Sequence, residues 1–330
     1  AMKAVLWTGY GGPGTLQVAD VDVPTPSDNE VRIRIHATTV SAGDCEVRSL
    51  RLRFPLSILL RLYFGPFRPK RVRVLGQELA GVIDAVGTEV HAFEVGDEVF
   101  AQTDFTMGAY AEYRCFRAVP GEDQGLIARK PSSLSFEEAA ALPLGGLEAL
   151  KYLRAAELQP GERVLIIGSG GSIGTVAIQV AKHFECHVTG VDRSDKLPTM
   201  RDCGADEVID YMAEDVTARA AAFDVVFDVV GKTPYRLLLS MLEENGRLIL
   251  SNPRMAQMMR GTRTTKEGKR IIVGTPSQPE DLATLAGWAE AGIVRPVIDR
   301  TYPLDQVAEA HRYVESGAKK GSLVVTVAGG

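Results

Sequence analysis

A strand, a glycine-rich turn, a helix and a second strand ending on an acid follow one another within residues 164–192. The apolar run Val164–Ile167 leads into the turn Gly168–Gly174, after which apolar residues recur three and four positions apart, as on one helix face. The second apolar run, His187–Val191, ends on Asp192, 18 residues after the last glycine of the turn. This order is typical of a βαβ unit that binds a dinucleotide. The alternative is a tight βα turn in an α/β domain that holds no ligand.

The glycines of the turn have separate predicted roles. Gly168 lets the chain turn sharply off the strand. Gly170 and Gly171 lack a Cβ, so the backbone can approach a pyrophosphate, and Gly174 lets the helix pack closely on the strand. Free N–H groups at the start of the helix would then face the phosphates. The predicted cofactor contacts in the turn are Gly168, Ser169, Gly170, Gly171, Ser172, Ile173 and Gly174.

Length and composition favour a soluble enzyme with two domains. The chain has 330 residues, which is long for one core, and its apolar content is 45%. The net charge of −5 gives no reason to expect a nucleic-acid partner. The longest apolar patch, Leu56–Phe67, is too short to span a bilayer, so no integral membrane segment is expected. With no start like a signal peptide and no CxxC or disulfide-like spacing among four cysteines, we expect a cytoplasmic protein with reduced thiols.

The pattern of elements changes along the chain. The first part predicts a largely antiparallel β domain with short strands at Lys3–Leu6, Val31–Ala37, Gly81–Val86 and Asp97–Gln102. A helix is predicted over Pro131–Ala156, capped by Ser135 and interrupted near Pro143–Gly146. Six strands of a doubly wound parallel sheet are then predicted at Arg163–Ile167, His187–Val191, Glu207–Ile209, Val225–Val229, Arg247–Leu250 and Ile271–Val273.

A last strand, Ser322–Val327, is expected to rejoin the first domain. We therefore predict a discontinuous β-rich domain formed by residues 1–126 and 276–330, with a dinucleotide-binding domain at 127–275.

Seven motifs carry a resemblance that runs along nearly the whole chain. They are VLGQELAG at 74–81, VGDEV at 95–99, GAYAEY at 108–113, the segment 136–143, the glycine turn at 168–174, GADEVIDY at 204–211 and FDVVG at 227–231. On these motifs the chain resembles the medium-chain dehydrogenase/reductase superfamily, in its zinc-independent quinone oxidoreductase-like branch. The resemblance implies an α/β fold, with a Rossmann doubly wound parallel sheet, a GroES-like β-rich catalytic domain and an active-site cleft between them. It also implies a homodimer.

The resemblance allows the family's zinc ligands to be checked one by one. The catalytic zinc of related alcohol dehydrogenases needs three protein ligands drawn from Cys, His and an acid. The corresponding positions hold Ser41, Gln77 and a residue near Leu144, which cannot bind zinc tightly. The structural zinc needs four closely spaced cysteines, and the sequence has no such group. We predict no zinc, and we interpret Cys45, four residues from the first position, as a packing residue.

Without zinc, a substrate carbonyl must be polarised by hydrogen bonds alone. That favours hydride addition to a quinone or a conjugated C=C over oxidation of an unactivated alcohol. The resemblance places Ser41 beside the nicotinamide and matches Asp44 to an aspartate that is either catalytic or a buried turn acid. Tyr63 either reaches the substrate or is an ordinary core or surface tyrosine. Glu148 stands where relatives usually have threonine, and it either relays a proton or points into solvent.

Signals for the cofactor conflict. Asp192 would bind a ribose 2′-hydroxyl and repel a 2′-phosphate. Arg193 follows it directly, however, and a guanidinium binds phosphate well. By resemblance, Lys196 and Tyr211 match the pair that contacts the 2′-phosphate in NADPH-using quinone reductases, so we favour NADPH over NADH. The remaining predicted cofactor contacts are Val230, Ser251 and Asn252.

Residues 48–73 form a basic and apolar segment with no acid between Glu46 and Glu78. Its eight basic residues are Arg48, Arg51, Arg53, Arg61, Arg68, Lys70, Arg71 and Arg73. The segment either recruits an anionic or membrane-borne lipophilic substrate or forms a solvated face over an ordinary apolar helix.

The sequence as a whole predicts an NAD(P)H-dependent oxidoreductase acting on a small quinone or enone substrate. Two alternatives stay open, namely a reductase or dehydrogenase of simple aldehydes, ketones or alcohols, and an NAD(P)H-binding sensor or structural protein with little turnover.

Overall fold

The computed structural model describes residues 1–52, 54–103, 105–119 and 125–327, so Arg53 of the basic segment lies outside the described residues. The strands are β1 Met2–Trp7, β2 Leu16–Val21, β3 Glu30–Val40, β4 Glu78–Val86, β5 Glu98–Gln102, β6 Tyr113–Arg117, β7 Leu126–Arg129, β8 Arg163–Ile167, β9 His187–Asp192, β10 Glu207–Asp210, β11 Phe223–Asp228, β12 Leu242–Leu250, β13 Arg263–Thr264, β14 Arg270–Ile272, β15 Ile298–Pro303 and β16 Ser322–Thr326. The helices are α1 Ala42–Ser49, α2 Leu56–Phe64, α3 Phe136–Ala140, α4 Pro143–Ala156, α5 Ser172–His183, α6 Leu197–Asp202, α7 Tyr235–Ser240, α8 Met255–Arg260, α9 Asp281–Glu290 and α10 Val307–Glu315.

The chain forms two compact units. One contains residues 1–144, 282–290 and 296–330, and the other contains residues 145–281 and 291–295. Residues 127–144 belong to the first unit and residues 276–281 and 291–295 belong to the second, whereas we expected the reverse from the sequence. For residues 127–144 the reason is tertiary packing, since β7 pairs with β5 and the ring of Phe136 stacks on His36 at 4.2 Å. The domain limits drawn from the sequence stay a prediction.

The first unit is built on a β-sheet in the order β15-β16-β3-β4-β5-β7, with β6 also pairing with β3. Its pairs are antiparallel except for β15 with β16, as the sequence led us to expect. Side chains of β3 alternate, with Val31, Ile33 and Ile35 buried, because successive residues of a strand face opposite sides of the sheet. The pairing of β16 with β3 confirms that the C-terminal strand rejoins this sheet.

The second unit contains the predicted doubly wound sheet, in the order β10-β9-β8-β11-β12-β14-β13. The first six strands are parallel, and β13 is added antiparallel at the edge. Consecutive residues of β8, Val164–Ile166, are all buried because helices cover both faces of such a sheet. β11 and β12 begin earlier than predicted, at Phe223 and Leu242.

The helix predicted over Pro131–Ala156 is two helices, α3 and α4, and residues 131–135 lie outside both. Ser135 caps α3 as predicted, because its hydroxyl accepts from the Glu138 N–H at 3.2 Å and the Glu138 carboxylate accepts from the Ser135 N–H at 3.0 Å. Pro143 restricts the residue before it and removes an N–H, so the chain must restart as α4.

In the part of the chain that the structure describes, none of the helices combines the length and apolarity needed to cross a membrane.

Candidate functional site

The glycine turn leaves β8 with Gly168 in the left-handed region, at φ 88°. A Cβ on Gly174 would lie 2.3 Å from the Cα of Ser169 and 2.4 Å from the carbonyl oxygen of Gly168. The N-terminus of α5 therefore packs directly on the turn residues that follow β8, whereas we expected Gly174 to pack on the strand itself. Ser169 is fully buried and its hydroxyl donates to the carbonyl of Val191 at 3.2 Å, so its side chain joins the turn to β9.

Gly171 precedes α5 in an extended conformation and leaves space beside the helix terminus. A Cβ there would have only the Gly168 carbonyl oxygen within 4 Å, at 3.8 Å. The first N–H groups of a helix have no partner within it, and α5 has no side-chain cap at Gly171. Its first residues, Ser172 and Ile173, thus present backbone donors where an anion such as a pyrophosphate fits.

Gly170 lies against side chains of the protein itself, and its predicted role beside a pyrophosphate stays a prediction. A Cβ there would lie 2.7 Å from the Cβ and Cδ atoms of Lys196 and 3.1 Å from a carboxylate oxygen of Asp192. Its N–H donates to that Asp192 oxygen at 2.9 Å. Gly170 must therefore lack a Cβ because the side chains of Lys196 and Asp192 occupy that space.

The ends of β9 and β10 bring together four predicted cofactor residues. The second oxygen of Asp192 accepts from the Arg193 N–H at 2.8 Å and lies 3.4 Å from the ammonium of Lys196. The Tyr211 N–H donates to the Asp192 carbonyl at 3.3 Å, and the Tyr211 ring is exposed. Because Lys196 neutralises much of the Asp192 charge, this acid repels a neighbouring phosphate less than an isolated carboxylate would.

A second group of predicted residues lies at the ends of β11 and β12. The N–H of Val230 donates to Asp228 at 3.1 Å, and the Asn252 amide donates to the Val230 carbonyl at 3.3 Å. The Ser251 hydroxyl donates to the Glu148 carboxylate at 3.3 Å.

Glu148 is ion-paired with Lys151 and is mostly buried. It faces Ser251, and the alternative in which Glu148 points into solvent is therefore wrong. Burial and the nearby Glu148 charge raise the pKa of Tyr152 to about 12.

In the first unit, the predicted pair Ser41 and Asp44 forms a buried capping box at the start of α1. The Ser41 N–H and O–H both donate to one Asp44 oxygen, at 2.9 and 2.8 Å, and the Asp44 N–H donates to the Ser41 oxygen at 3.1 Å. The Gln77 amide donates to Ser41 Oγ and to the other Asp44 oxygen, both at 3.3 Å. Burial raises the pKa of Asp44, while these hydrogen bonds hold the charged form and lower it.

A buried chain of polar groups continues from Asp44 and was not foreseen from the sequence. The Tyr110 hydroxyl donates to Asp44 and lies 3.2 Å from Nε2 of His311. Arg48 Nη1 lies 2.9 Å from Nδ1 of His311, and Arg48 Nη2 pairs with the Glu315 carboxylate. Burial, with the Arg48 charge beside it, lowers the pKa of His311 to about 3. Burial likewise raises the pKa of Tyr110 well above its usual range.

A sequence signal for His311 does exist. Val307, Ala310 and Val314 mark the buried face of α10, and His311 falls among them, so periodicity alone would have placed it in the core. Cys45 was interpreted as a packing residue; it is buried, and its sulfur also lies 3.4 Å from Nδ1 of His311.

Glu78 follows Gln77 and is also fully buried. Its carboxylate accepts from the Thr39 hydroxyl and, at 2.7 Å, from the Leu144 N–H. Burial raises its pKa to about 7, against the opposing effect of these donors.

Tyr63, the remaining predicted catalytic residue, lies half-buried on α2. The Arg71 guanidinium carbon lies over its ring, 4.3 Å from the ring centroid. The ring also packs edge-on against that of Phe64, with the two centroids 5.2 Å apart.

The zinc positions can be compared with the geometry. Ser41 and Gln77 do lie together, within hydrogen-bond distance, but a hydroxyl and an amide are poor zinc ligands. Within the described ranges, no group of three His, Cys, Asp or Glu side chains is placed to hold a metal ion. These residues do not fit a catalytic zinc.

Comparison with known proteins gives matches along nearly the whole chain. Residues 27–129 match the alcohol dehydrogenase GroES-like domain, and residues 203–325 match a family described as zinc-binding dehydrogenase. The 2-methylene-furan-3-one reductase of Solanum lycopersicum is 31% identical over 98% of this chain and 79% of its own length.

Two solved structures are similar over almost their full length. The quinone oxidoreductase of Coxiella burnetii superposes with a TM-score of 0.83 at 28% identity, covering 99% of both chains. The quinone oxidoreductase of Escherichia coli complexed with NADPH has a TM-score of 0.80 at 25% identity, covering 98% of this chain and 99% of that one. With the two sheets and the glycine turn described above, these matches show that the chain belongs to the medium-chain dehydrogenase/reductase superfamily, in its quinone oxidoreductase-like branch.

Proposed function

We propose that this chain is a zinc-independent oxidoreductase that transfers a hydride from NADPH to a quinone or an α,β-unsaturated carbonyl compound. Two features together support the proposal, one at the cofactor site and one at the positions of the family's zinc ligands. The terminus of α5 at Gly171 is open enough for a dinucleotide, and Ser41 and Gln77 lie within hydrogen-bond distance of each other. By resemblance, Ser41 and Gln77 stand where related enzymes have zinc ligands. The names of the relatives, a 2-methylene-furan-3-one reductase and quinone oxidoreductases, support the same acceptor class.

The cofactor would be held by groups already in place. The N–H groups of Ser172 and Ile173 would bind the pyrophosphate, with the helix dipole in support. Arg193, Lys196 and Tyr211 would surround the adenosine ribose and its 2′-phosphate. When bound, the reduced nicotinamide supplies the hydride. An Escherichia coli relative complexed with NADPH supports this cofactor over NADH.

Hydride transfer leaves a negative charge on the acceptor. A hydride that adds to the β-carbon of an enone forms one C–H bond and moves the π electrons to the carbonyl oxygen; one proton then completes the product. Because conjugation spreads that charge, hydrogen bonds replace a Lewis acid. We propose Ser41 as a cofactor and substrate contact, positioned by Asp44 and Gln77. Tyr63 stays a proposed substrate contact.

We propose that Glu148 and Ser251 move the proton. The hydroxyl of Ser251 donates to the Glu148 carboxylate, and Lys151 holds that carboxylate in place. In each turnover the Glu148 carboxylate would first take up one proton from solvent. The Ser251 hydroxyl would then pass its own proton to the acceptor and take the proton of Glu148, which returns Glu148 to the carboxylate. Val230 and Asn252, in the same cluster, are proposed cofactor contacts.

The family resemblance also supports a homodimer, and the spacing of the cysteines supports a cytoplasmic location. We include both in the proposal.

A substrate panel tests the proposed activity. The absorbance of reduced nicotinamide is followed with quinones, enones and simple carbonyls, using NADPH and NADH in parallel and with a metal chelator present. The proposal expects consumption with quinones or enones, faster with NADPH and unaffected by the chelator. Consumption with simple carbonyls alone would assign a carbonyl reductase. Tight cofactor binding without turnover across the panel would assign a sensor or structural protein.

A further inference from the structure

Helix α2 and its flanks expose an unusual set of side chains to solvent. Among them are Phe67, 92% exposed, Phe54, 78% exposed, and Leu62, 65% exposed. We use the name apolar–basic patch for the exposed large apolar residues Phe54, Leu56, Ile58, Leu59, Leu62 and Phe67 together with the exposed cations Arg51, Arg61, Arg68, Lys70, Arg71 and Arg73.

The patch includes the solvent-facing side of α2, and the opposite side of this helix packs on the core of the first unit. On a helix, Ile58 and Leu62 are separated by one turn and lie on the same side, next to Leu59. The opposite side of α2 is anchored, because Phe64 is buried and its ring packs edge-on against Trp7 at 5.3 Å. These apolar side chains are therefore exposed by a fixed helix, and an exposed apolar patch of this kind is typical of an interaction site.

The charge of the patch is of one sign. The sequence contains no acid between Glu46 and Glu78, although the whole chain is acidic, at −5. Two of the cations are held at defined places, with Arg61 over the ring of Tyr10 at 5.1 Å and Arg71 over the ring of Tyr63 at 4.3 Å. The exposed cations lie in α2 and in the segments on either side of it, so positive charge is concentrated in the part of the chain that carries the exposed apolar side chains.

We propose that the apolar–basic patch binds the surface of a membrane that contains anionic phospholipids. Its phenylalanine and leucine side chains would enter the boundary between headgroups and acyl chains, while its arginines and Lys70 would bind the headgroup phosphates. A second copy of this chain fits poorly, because a two-fold contact through the patch would bring its cations against each other. The surface would hold the enzyme where lipophilic quinones and enones concentrate, but the binding stands whether or not the proposed activity is correct.

Co-sedimentation of the full chain with vesicles tests the proposal. One vesicle preparation is phosphatidylcholine alone, and the other contains about a third phosphatidylserine. At low salt the protein should sediment with the anionic vesicles and remain in solution with the neutral ones. Added salt should release it, because screening weakens the attraction between the cations and the headgroups.

Two double variants separate the two parts of the patch. Arg68→Gln with Lys70→Gln should lower partitioning onto anionic vesicles by about 30-fold. Leu62→Gln with Phe67→Gln should lower it by at least about tenfold, because less apolar surface enters the membrane. All four positions are exposed, so the thermal midpoint should not change. The matched control is Val95→Gln with Arg201→Gln, which removes an exposed apolar residue and an exposed cation elsewhere and should leave binding unchanged.

Several outcomes would overturn the proposal. These are no binding to anionic vesicles at low salt, equal binding to neutral vesicles, and equal losses in the control and patch variants. Binding to soluble polyglutamate that both patch variants abolish, without binding to vesicles, would assign an acidic protein surface instead. A smaller oligomer in sedimentation velocity for Leu62→Gln with Phe67→Gln would assign the patch to contacts between copies of this chain.

Discussion

Arg48 Nη1 lies 2.9 Å from Nδ1 of His311, and this contact fixes which nitrogen of the ring carries the hydrogen. A guanidinium only donates hydrogen bonds, so Nδ1 must accept and the hydrogen is on Nε2. Nε2 then donates to the Tyr110 oxygen, and the Tyr110 hydroxyl donates to Asp44, which accepts from Ser41. A single direction of donation therefore runs from His311 to the proposed site residue Asp44.

The first prediction follows from the neutral ring of His311. Burial holds its pKa at about 3, well below its usual range, so the unfolded chain binds a proton at this residue that the folded chain does not. Stability contributed by the neutral ring is present above about pH 6.5 and is lost as pH falls. Between about pH 7 and pH 5, the free energy of unfolding of the wild type should fall by about 2 kcal/mol more than that of His311→Gln. Urea unfolding at each pH measures this, and parallel pH profiles would contradict it.

Glu78 predicts the opposite dependence of stability on pH. Burial raises its folded-state pKa to about 7, so the folded chain holds a proton that the unfolded chain has released. Stability from this group is present at low pH and is lost as pH rises towards about 7. Glu78→Gln keeps an acceptor for the Leu144 N–H and should remove about 2–3 kcal/mol of this loss between about pH 5 and pH 8. The same urea titration checks it; a variant that retains the wild-type slope would show that Glu78 does not titrate there.

Arg193 provides the prediction on cofactor choice. Arg193→Gln should raise the KM for NADPH by about tenfold and leave the KM for NADH unchanged, because only NADPH carries the 2′-phosphate. Arg201→Gln, on the exposed side of α6, is the matched control and should change neither. Equal effects of Arg193→Gln on both cofactors would place the 2′-phosphate elsewhere or favour NADH.

Two glycines of the turn should respond differently to alanine. At Gly174 a Cβ meets backbone atoms at 2.3 and 2.4 Å, so Gly174→Ala should destabilise the fold by about 1–3 kcal/mol and weaken cofactor binding. At Gly171 the space is open, so Gly171→Ala should leave the thermal midpoint unchanged and still raise the Kd for NADPH. Calorimetric titration and thermal unfolding measure both quantities. Unchanged NADPH affinity in Gly171→Ala would show that the open space is not the phosphate site.

The sequence predicted the second unit well because its signals are local. The strand, turn, helix and acid between Val164 and Asp192 are contiguous, and each residue type has a physical reason at its place. Chain order could not show that Gly170 is required by Lys196 and Asp192, because that depends on how the segment after β9 folds back.

The contacts among the buried polar groups of the first unit could not be predicted from sequence patterns. Arg48 and His311 are 263 residues apart, and Tyr110 and His311 are 201 apart, so only the tertiary fold brings them together. The helix predicted over Pro131–Ala156 has its predicted cap at Ser135 and a break just before Pro143, and only residues 131–135 differ because they lie outside both helices. Tertiary contacts of α3, such as the stacking of Phe136 on His36, join parts of the chain that are 100 residues apart and also could not be predicted from the sequence.

Transfer of deuterium from labelled NADPH shows whether this chain reduces a conjugated acceptor by direct hydride transfer without zinc. NADPH carrying deuterium at the transferred position of its nicotinamide is mixed with an enone and the protein, with a metal chelator present, and the product is analysed by NMR. Direct hydride transfer predicts one deuterium on the β-carbon of a saturated carbonyl product, with a hydrogen from solvent on the α-carbon. Deuterium at the carbonyl carbon of an alcohol, loss of the label to solvent, or activity that the chelator abolishes would contradict zinc-independent reduction of a conjugated acceptor.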